Sequence, residues 1–197
     1  MNRFRYLFLA AAALPLCAQN DWPGWGHDGS NQRHSPLKQI TAANVSKLAP
    51  AWQYPMKIEP YKLSQSTPLV VNGVIYSIAP WSVVFAVDAK TGKAYWTHDM
   101  LAAIWGSPIV IDGKVYLGDE DGDVAVLATG RTKKVLFETN LGSSIYSTPV
   151  PANGSMFIVN RNQLIAIGRR EFRNGLLPAS IPSFMHNLLK RVNIHLG

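Results

Sequence analysis

A hairpin signature that returns at a near-constant interval constrains this chain more than any other feature. Thr67-Pro68-Leu69-Val70-Val71-Asn72-Gly73-Val74-Ile75-Tyr76-Ser77 is matched forty residues on by Ser107-Pro108-Ile109-Val110-Ile111-Asp112-Gly113-Lys114-Val115-Tyr116-Leu117. It is matched again, after a further forty-one, by Thr148-Pro149-Val150-Pro151-Ala152-Asn153-Gly154-Ser155-Met156-Phe157. Asn-Gly and Asp-Gly between β-branched apolar runs are the strongest short-range hairpin signal, because both central residues tolerate positive φ. Within the first copy a third run, Val83 to Val87, follows the Ala79-Pro80-Trp81-Ser82 bend. A fourth, Ala94 to His98, follows a polar turn from Asp88 to Lys93.

Four short antiparallel strands in each repeat cannot bury both faces of one small sheet, so neighbouring copies must stack on it. Radial repetition of such a unit is the plan of a β-propeller. The expected fold is therefore all-β, an incomplete propeller of about three four-stranded blades covering 61–100, 101–141 and 142–168, with a C-terminal amphipathic helix.

Ala86-Val87-Asp88-Ala89-Lys90-Thr91-Gly92-Lys93-Ala94-Tyr95-Trp96 resembles the tryptophan-docking motif of the pyrroloquinoline quinone (PQQ) repeat propellers, with Ala94 where that motif has Glu. The resemblance implies that Trp96 wedges one blade against the next and that Asp88, Thr91 and Gly92 are structural residues of the same docking motif. An indole suits that task, because it buries a large flat area and carries a single N–H to satisfy. The second motif is eroded: Leu127-Ala128-Thr129-Gly130-Arg131 keeps the turn, and Leu136 is expected where Trp96 stands in the first.

Ahead of the blades, 19–60 reads as loop and outer strand. Trp22-Pro23-Gly24-Trp25-Gly26-His27-Asp28, Asn31 to Leu37, and the stretch from Gln39 through Trp52 resemble the amino-terminal signature of quinoprotein alcohol and glucose dehydrogenases. Thr41 is the expected N-cap of a short helical turn through Leu48, and Ala51-Trp52-Gln53-Tyr54 the expected outer strand. From Ile104 to Ile167 the similarity moves to PQQ-like propellers without catalysis, as though an internal deletion had joined first and last blades.

Chemistry enters only through the resemblance. The dehydrogenase family places a quinone-binding Glu before Thr-Pro-Leu-Val-Val, and the aligned residue here is Gln65. Gln65 reads either as a cofactor contact or as a polar residue at the inner end of a strand; its amide can hydrogen-bond a quinone carbonyl but brings no charge. The family's vicinal cysteine pair would fall near Met100-Leu101, where there is no cysteine. The family's Ca²⁺ ligands and catalytic Asp have no matching residues after Gly118. Asp119-Glu120-Asp121-Gly122-Asp123 has the look of a calcium loop, but its Gly comes too early and no closing Glu follows, which favours a hairpin turn. No catalytic residue and no metal ligand is assigned. The lone chain is expected to hold no cofactor, with PQQ and calcium entering only if a dehydrogenase site assembles.

The ends carry their own signals. Residues 1–18 have Arg3 and Arg5 ahead of an apolar stretch and a small residue at Ala18, the layout of a cleaved bacterial signal peptide, which implies a periplasmic or secreted protein. Membrane attachment would require lipidation of Cys17, the only cysteine, and Leu16 is bulkier than a lipidation site wants. In the basic tail, 169–197, Ile181, Phe184, Met185, Leu188, Leu189 and Val192 fall at helical spacing. The net charge of +7 comes from the two ends, since Asn20 to Gly168 hold twelve basic and eleven acidic residues. A near-neutral propeller part excludes a nucleic-acid partner. Open blade edges point instead to a homo-oligomer or to other envelope proteins.

Two functions remain. One is a secreted, truncated, non-catalytic scaffold or interaction module derived from a quinoprotein. The other is a PQQ- and calcium-dependent alcohol or sugar dehydrogenase, or a piece of one.

Overall fold

The computed structural model describes residues 21–28, 30–56, 65–153 and 155–168. The expected signal peptide, the tail helix and Cys17 lie outside the described residues. Among these residues the chain forms eleven strands in three antiparallel sheets. The first sheet is β1 (Leu69–Val71), β2 (Val74–Ile78), β3 (Val83–Asp88) and β4 (Ala94–Asp99), in that order. The second is β5 (Ile109–Ile111), β6 (Lys114–Gly118), β7 (Asp123–Ala128) and β8 (Val135–Asn140). The third is β9 (Val150–Ala152), β10 (Ser155–Val159) and β11 (Leu164–Gly168). Each is a meander whose neighbours in sequence are neighbours in space, the blade of a propeller.

The hairpins form for the expected reason. Asn72 and Gly73 have φ of 51° and 72°, and Asp112 and Gly113 have 48° and 68°. Two successive positive φ values turn the chain with the same hand as the strand twist.

Side chains alternate between the two faces of each strand, and in β3 and β7 four successive residues are buried because both faces are covered. Leu69, Tyr76, Ile78, Val84, Ala86 and Trp96 of the first sheet share one core with Val110, Val115, Leu117, Ala125 and Leu127 of the second. The opposite face of the second sheet, with Tyr116, Val124 and Val126, forms another core with Met156, Ile158 and Ile167 of the third. The sheets therefore stack in chain order. Their first strands stand at the narrow end of the wedge, where β1 comes up against β5 and Thr67 N–H donates to Ser107 Oγ at 3.3 Å. At the next junction a Cβ on Gly106 would lie 2.8 Å from the Ser147 backbone, so glycine permits the approach.

Four expectations need correction. Residues 51–54 pair with no strand among the described residues; Trp52 and Tyr54 instead pack with Phe85 and Val87 on the face of the first sheet turned away from the second. The helical turn before them is a 3-10 turn, Val45–Lys47, with Asn44 at its N-cap and no side-chain cap. Asn44 Oδ1 accepts from Thr41 N–H at 2.7 Å, so Thr41 is the donor in that loop rather than the cap. The third sheet has three strands rather than four among the described residues. Finally, Phe137 rather than Leu136 holds the register of Trp96: Trp96 lies opposite Ala86 and Phe137 opposite Val126, with Val135 opposite Leu127 where Ala94 lies opposite Val87. The turn from β7 to β8 is one residue longer than its counterpart, which shifts every later position.

Candidate functional site

Two places in this fold concentrate specific polar geometry: the docking turns between sheets and the entrances of the first strands. In the first docking turn, Asp88 closes the loop on itself. Its Oδ1 accepts from the N–H groups of Lys90 and Thr91 at 3.0 and 2.8 Å and from Thr91 Oγ1 at 2.9 Å, while Tyr95 O–H donates to Oδ2 at 2.5 Å. The Tyr95 bond, with the Thr91 hydroxyl and the backbone donors behind it, lowers the Asp88 carboxyl to a pKa of about 2. Gly92 follows at φ 69°, and a Cβ there would lie 2.4 Å from the ring of Trp52. Trp52 lies against this turn and its Nε1 donates to Ala89 C=O at 3.2 Å.

The second turn is held the same way by the first sheet. Trp96, 7% exposed, donates from Nε1 to Gly130 C=O at 3.0 Å, and Gly130 N–H donates to Tyr76 O–H at 2.6 Å. The two rings are tilted by 45° at 5.9 Å, so one glycine is gripped between them. Burial pushes the Tyr76 phenol up, which keeps it a neutral partner for that N–H. Trp52 thus does for the first sheet what Trp96 does for the second. The sequence reading missed this, although the docking loop lies roughly forty residues downstream of Trp52, the interval of the repeat itself.

The strand entrances carry Gln65. The forty- and forty-one-residue intervals make Trp105 and Tyr146 its counterparts in the next two blades. All three are exposed, Trp105 by 53% and Tyr146 by 49%. The carboxylates at this end serve the protein itself. Asp99 Oδ1 accepts from Ser82 Oγ at 2.6 Å and Leu101 N–H at 2.9 Å, the Ser82 bond being the main reason its carboxyl is held low. Glu120 Oε2 accepts from Trp105 Nε1 at 3.1 Å. Asp119, fully buried, accepts on Oδ1 from Asp121 and Asp123 N–H at 3.1 and 2.9 Å. The acidic run 119–123 is therefore the β6–β7 turn, wound around Asp119.

Asp119 Oδ2 has no hydrogen-bond partner among the described residues, and burial pushes its carboxyl up. The equivalent residue of the third sheet is Asn160, whose Oδ1 accepts from Asn162 and Gln163 N–H while its Nδ2 donates to Leu141 C=O at 3.2 Å. Between the first two blades, buried His98 has Nε2 3.1 Å from Glu138 Oε1 without hydrogen-bond geometry, and burial lowers its pKa.

A quinone with its divalent cation asks for a cluster of oxygen ligands. Among the described residues no group of three or more His, Cys, Asp or Glu side chains could hold a metal ion. Gln65 offers a neutral amide, and Asp99, Asp119 and Glu120 each give one oxygen to the protein's own donors without forming a metal-binding group, so these residues do not fit that pair of groups.

Stacked antiparallel meanders of four and three strands, wedged by tryptophan, define a β-propeller with tryptophan-docked blades. Residues 22–107 match the family profile described as the glucose/ethanol/alcohol dehydrogenase β-propeller domain, and residues 82–174 the one described as outer membrane protein assembly factor BamB. The chain belongs to the PQQ-repeat β-propeller family. It is 31% identical to 1-butanol dehydrogenase (cytochrome c) of Thauera butanivorans over 83% of this chain and 25% of that protein. It is 37% identical to quinohemoprotein alcohol dehydrogenase of Comamonas testosteroni over 72% of this chain and 22% of that protein. The chain thus spans about a quarter of the length of the curated relatives it matches. Among solved structures, quinohemoprotein alcohol dehydrogenase ADHIIG of Pseudomonas putida superposes with a TM-score of 0.64 at 31% identity, covering 72% of this chain and 23% of that one. The Comamonas testosteroni enzyme gives 0.63 at 31% identity, covering 72% and 25%.

Proposed function

We propose that this chain is a secreted, periplasmic propeller module derived from a quinoprotein, acting as a non-catalytic scaffold or interaction element of the cell envelope. One observation supports it above others: at the strand entrances the aligned quinone-binding position is a neutral, exposed Gln65, and Asp99, Asp119 and Glu120 all accept hydrogen bonds from the protein itself. A divalent cation would compete for these oxygens with donors already in place. The signal-peptide layout of 1–18 supports export.

The similarity to quinohemoprotein alcohol dehydrogenases favours a second reading, a piece of a PQQ- and calcium-dependent alcohol dehydrogenase. Dye-linked oxidation of ethanol or 1-butanol by the purified chain, supplied with PQQ and Ca²⁺, separates the two. The scaffold reading expects a rate no higher than PQQ and Ca²⁺ give without protein. Alcohol-dependent dye reduction above that blank, lost on chelation, would establish the dehydrogenase reading instead.

A further inference from the structure

The two ends of this stack are complementary, and each holds what the other lacks. At one end is a strand-like segment without a sheet. Trp52 lies against the Gly92 turn as Trp96, on the outer strand β4, grips the Gly130 turn, yet residues 51–54 have no ladder partner among the described residues. At the other end is a sheet that lacks an outer strand among the described residues: there β11 pairs with β10 alone, whereas its counterparts β3 and β7 also carry β4 and β8.

The faces tell the same story. Val150, Phe157, Val159 and Leu164 occupy the ladder positions that Leu69, Tyr76, Ile78 and Val84 occupy in the first sheet. Those four are at most 2% exposed because the second sheet lies on them. In the third sheet Val150, Val159 and Leu164 are 55%, 50% and 67% exposed. The positions remain apolar although nothing among the described residues covers them, as a blade face awaiting a neighbour would be.

We propose that a second copy of this chain docks head to tail, laying its first sheet on the third sheet of its neighbour and adding its residues 51–54 to β11 as the missing fourth strand. The contact continues an interface the chain already makes twice, between its first and second sheets and between its second and third. The register follows from the repeat. Trp96 lies opposite Ala86 and Phe137 opposite Val126, so Trp52 of the second copy lies opposite Ala166, and Gln53 opposite Ile165. The chain cannot close on itself in this way, since Trp52 sits on the first-sheet face turned from the second sheet while β11 lies beyond the second sheet. A heterologous contact of this kind closes into a ring or runs on as an open array. Two copies bring about six blades, within the range of roughly four to eight in which propellers close.

This deepens the scaffold reading by naming a partner, and its test does not depend on quinone. In the full chain with Cys17→Ser, Gln53→Cys and Ile165→Cys variants are prepared separately, mixed and mildly oxidised. Opposed residues on adjacent antiparallel strands come within disulfide reach. The expected result is a disulfide-linked pair in the mixture, absent when Gln53→Cys is mixed with Asp112→Cys on an exposed hairpin turn, and lost when Leu164→Glu is added to the Ile165→Cys chain. Should Ile165→Cys fail to fold, light scattering of the unmodified chain decides: the mass must rise with concentration to at least twice that of one chain, and Leu164→Glu must abolish the rise. A single-chain mass at every concentration, or cross-linking no greater than in the Asp112→Cys control, overturns the proposal. Either result would be expected if residues 169–197 covered β11 or if only a different envelope protein did so.

Discussion

Asp119 and Asn160 stand at the same turn in successive blades, and the difference between them is one atom. Asn160 uses its amide N–H to satisfy Leu141 C=O, whereas Asp119 buries a carboxylate oxygen with no partner among the described residues. Leaving such a group unsatisfied costs about 1–3 kcal/mol, so Asp119→Asn should raise stability by roughly that amount at neutral pH in urea titrations. The sign with pH follows from the raised folded-state pKa. Asp119 favours folding fully below its unfolded pKa near 3.8, and that favour is lost as pH rises through the higher folded value. The gain from Asp119→Asn should therefore fade in acid. Asp88 behaves oppositely: its contribution is present above about 3.8 and is lost as pH falls toward about 2. Tyr95→Phe removes the largest cause of that depression, and the Asp88 titration followed by carboxyl-carbon NMR should move up toward the ordinary value.

At the scale of elements, the docking contacts set how firmly one sheet is held to the next. Trp96→Ala should cost about 3–5 kcal/mol, as truncation of a buried indole does. Trp96→Phe keeps most of the packing but removes the donor to Gly130 C=O, so about 1 kcal/mol should be lost. Gly92→Ala combines an unfavourable positive φ with a Cβ driven into the Trp52 ring, and should cost at least about 1–2 kcal/mol in the same titrations.

How legible these elements are follows from the range over which each is specified. The hairpins at Asn72-Gly73 and Asp112-Gly113 can be read because turn chemistry is local, carried by two adjacent residues. The placing of Leu136 failed because one additional residue between β7 and β8 changes the register without leaving any mark at the position itself. Trp52 looked like a residue of a paired strand, since an apolar alternating run signals extended chain and not whether a partner strand is at hand. What it grips lies in a loop 37 residues away. The three entrance residues Gln65, Trp105 and Tyr146 look unrelated by chemistry, and only the repeat interval, carried through the irregular loops, puts them in one row.

On the scale of the whole molecule, the stack is a run of equivalent interfaces: the second sheet offers one apolar face to the first sheet and the other to the third. In such an array stability is approximately a sum of blade and interface terms, so leaving an end uncovered costs cohesion without unmaking the blades within. A second copy would supply the missing interface, whereas a quinone at the axis would need ligands that the described residues of these three sheets do not bring together. The measurement that tests this account most directly is the thermal unfolding of the full chain, alone and with excess PQQ and Ca²⁺, because a ligand that binds only the folded form must raise the midpoint. The account predicts one transition whose midpoint rises with protein concentration and is unmoved by PQQ and Ca²⁺. A midpoint raised by PQQ and Ca²⁺ at fixed protein concentration would contradict it and place a working quinone site in these blades.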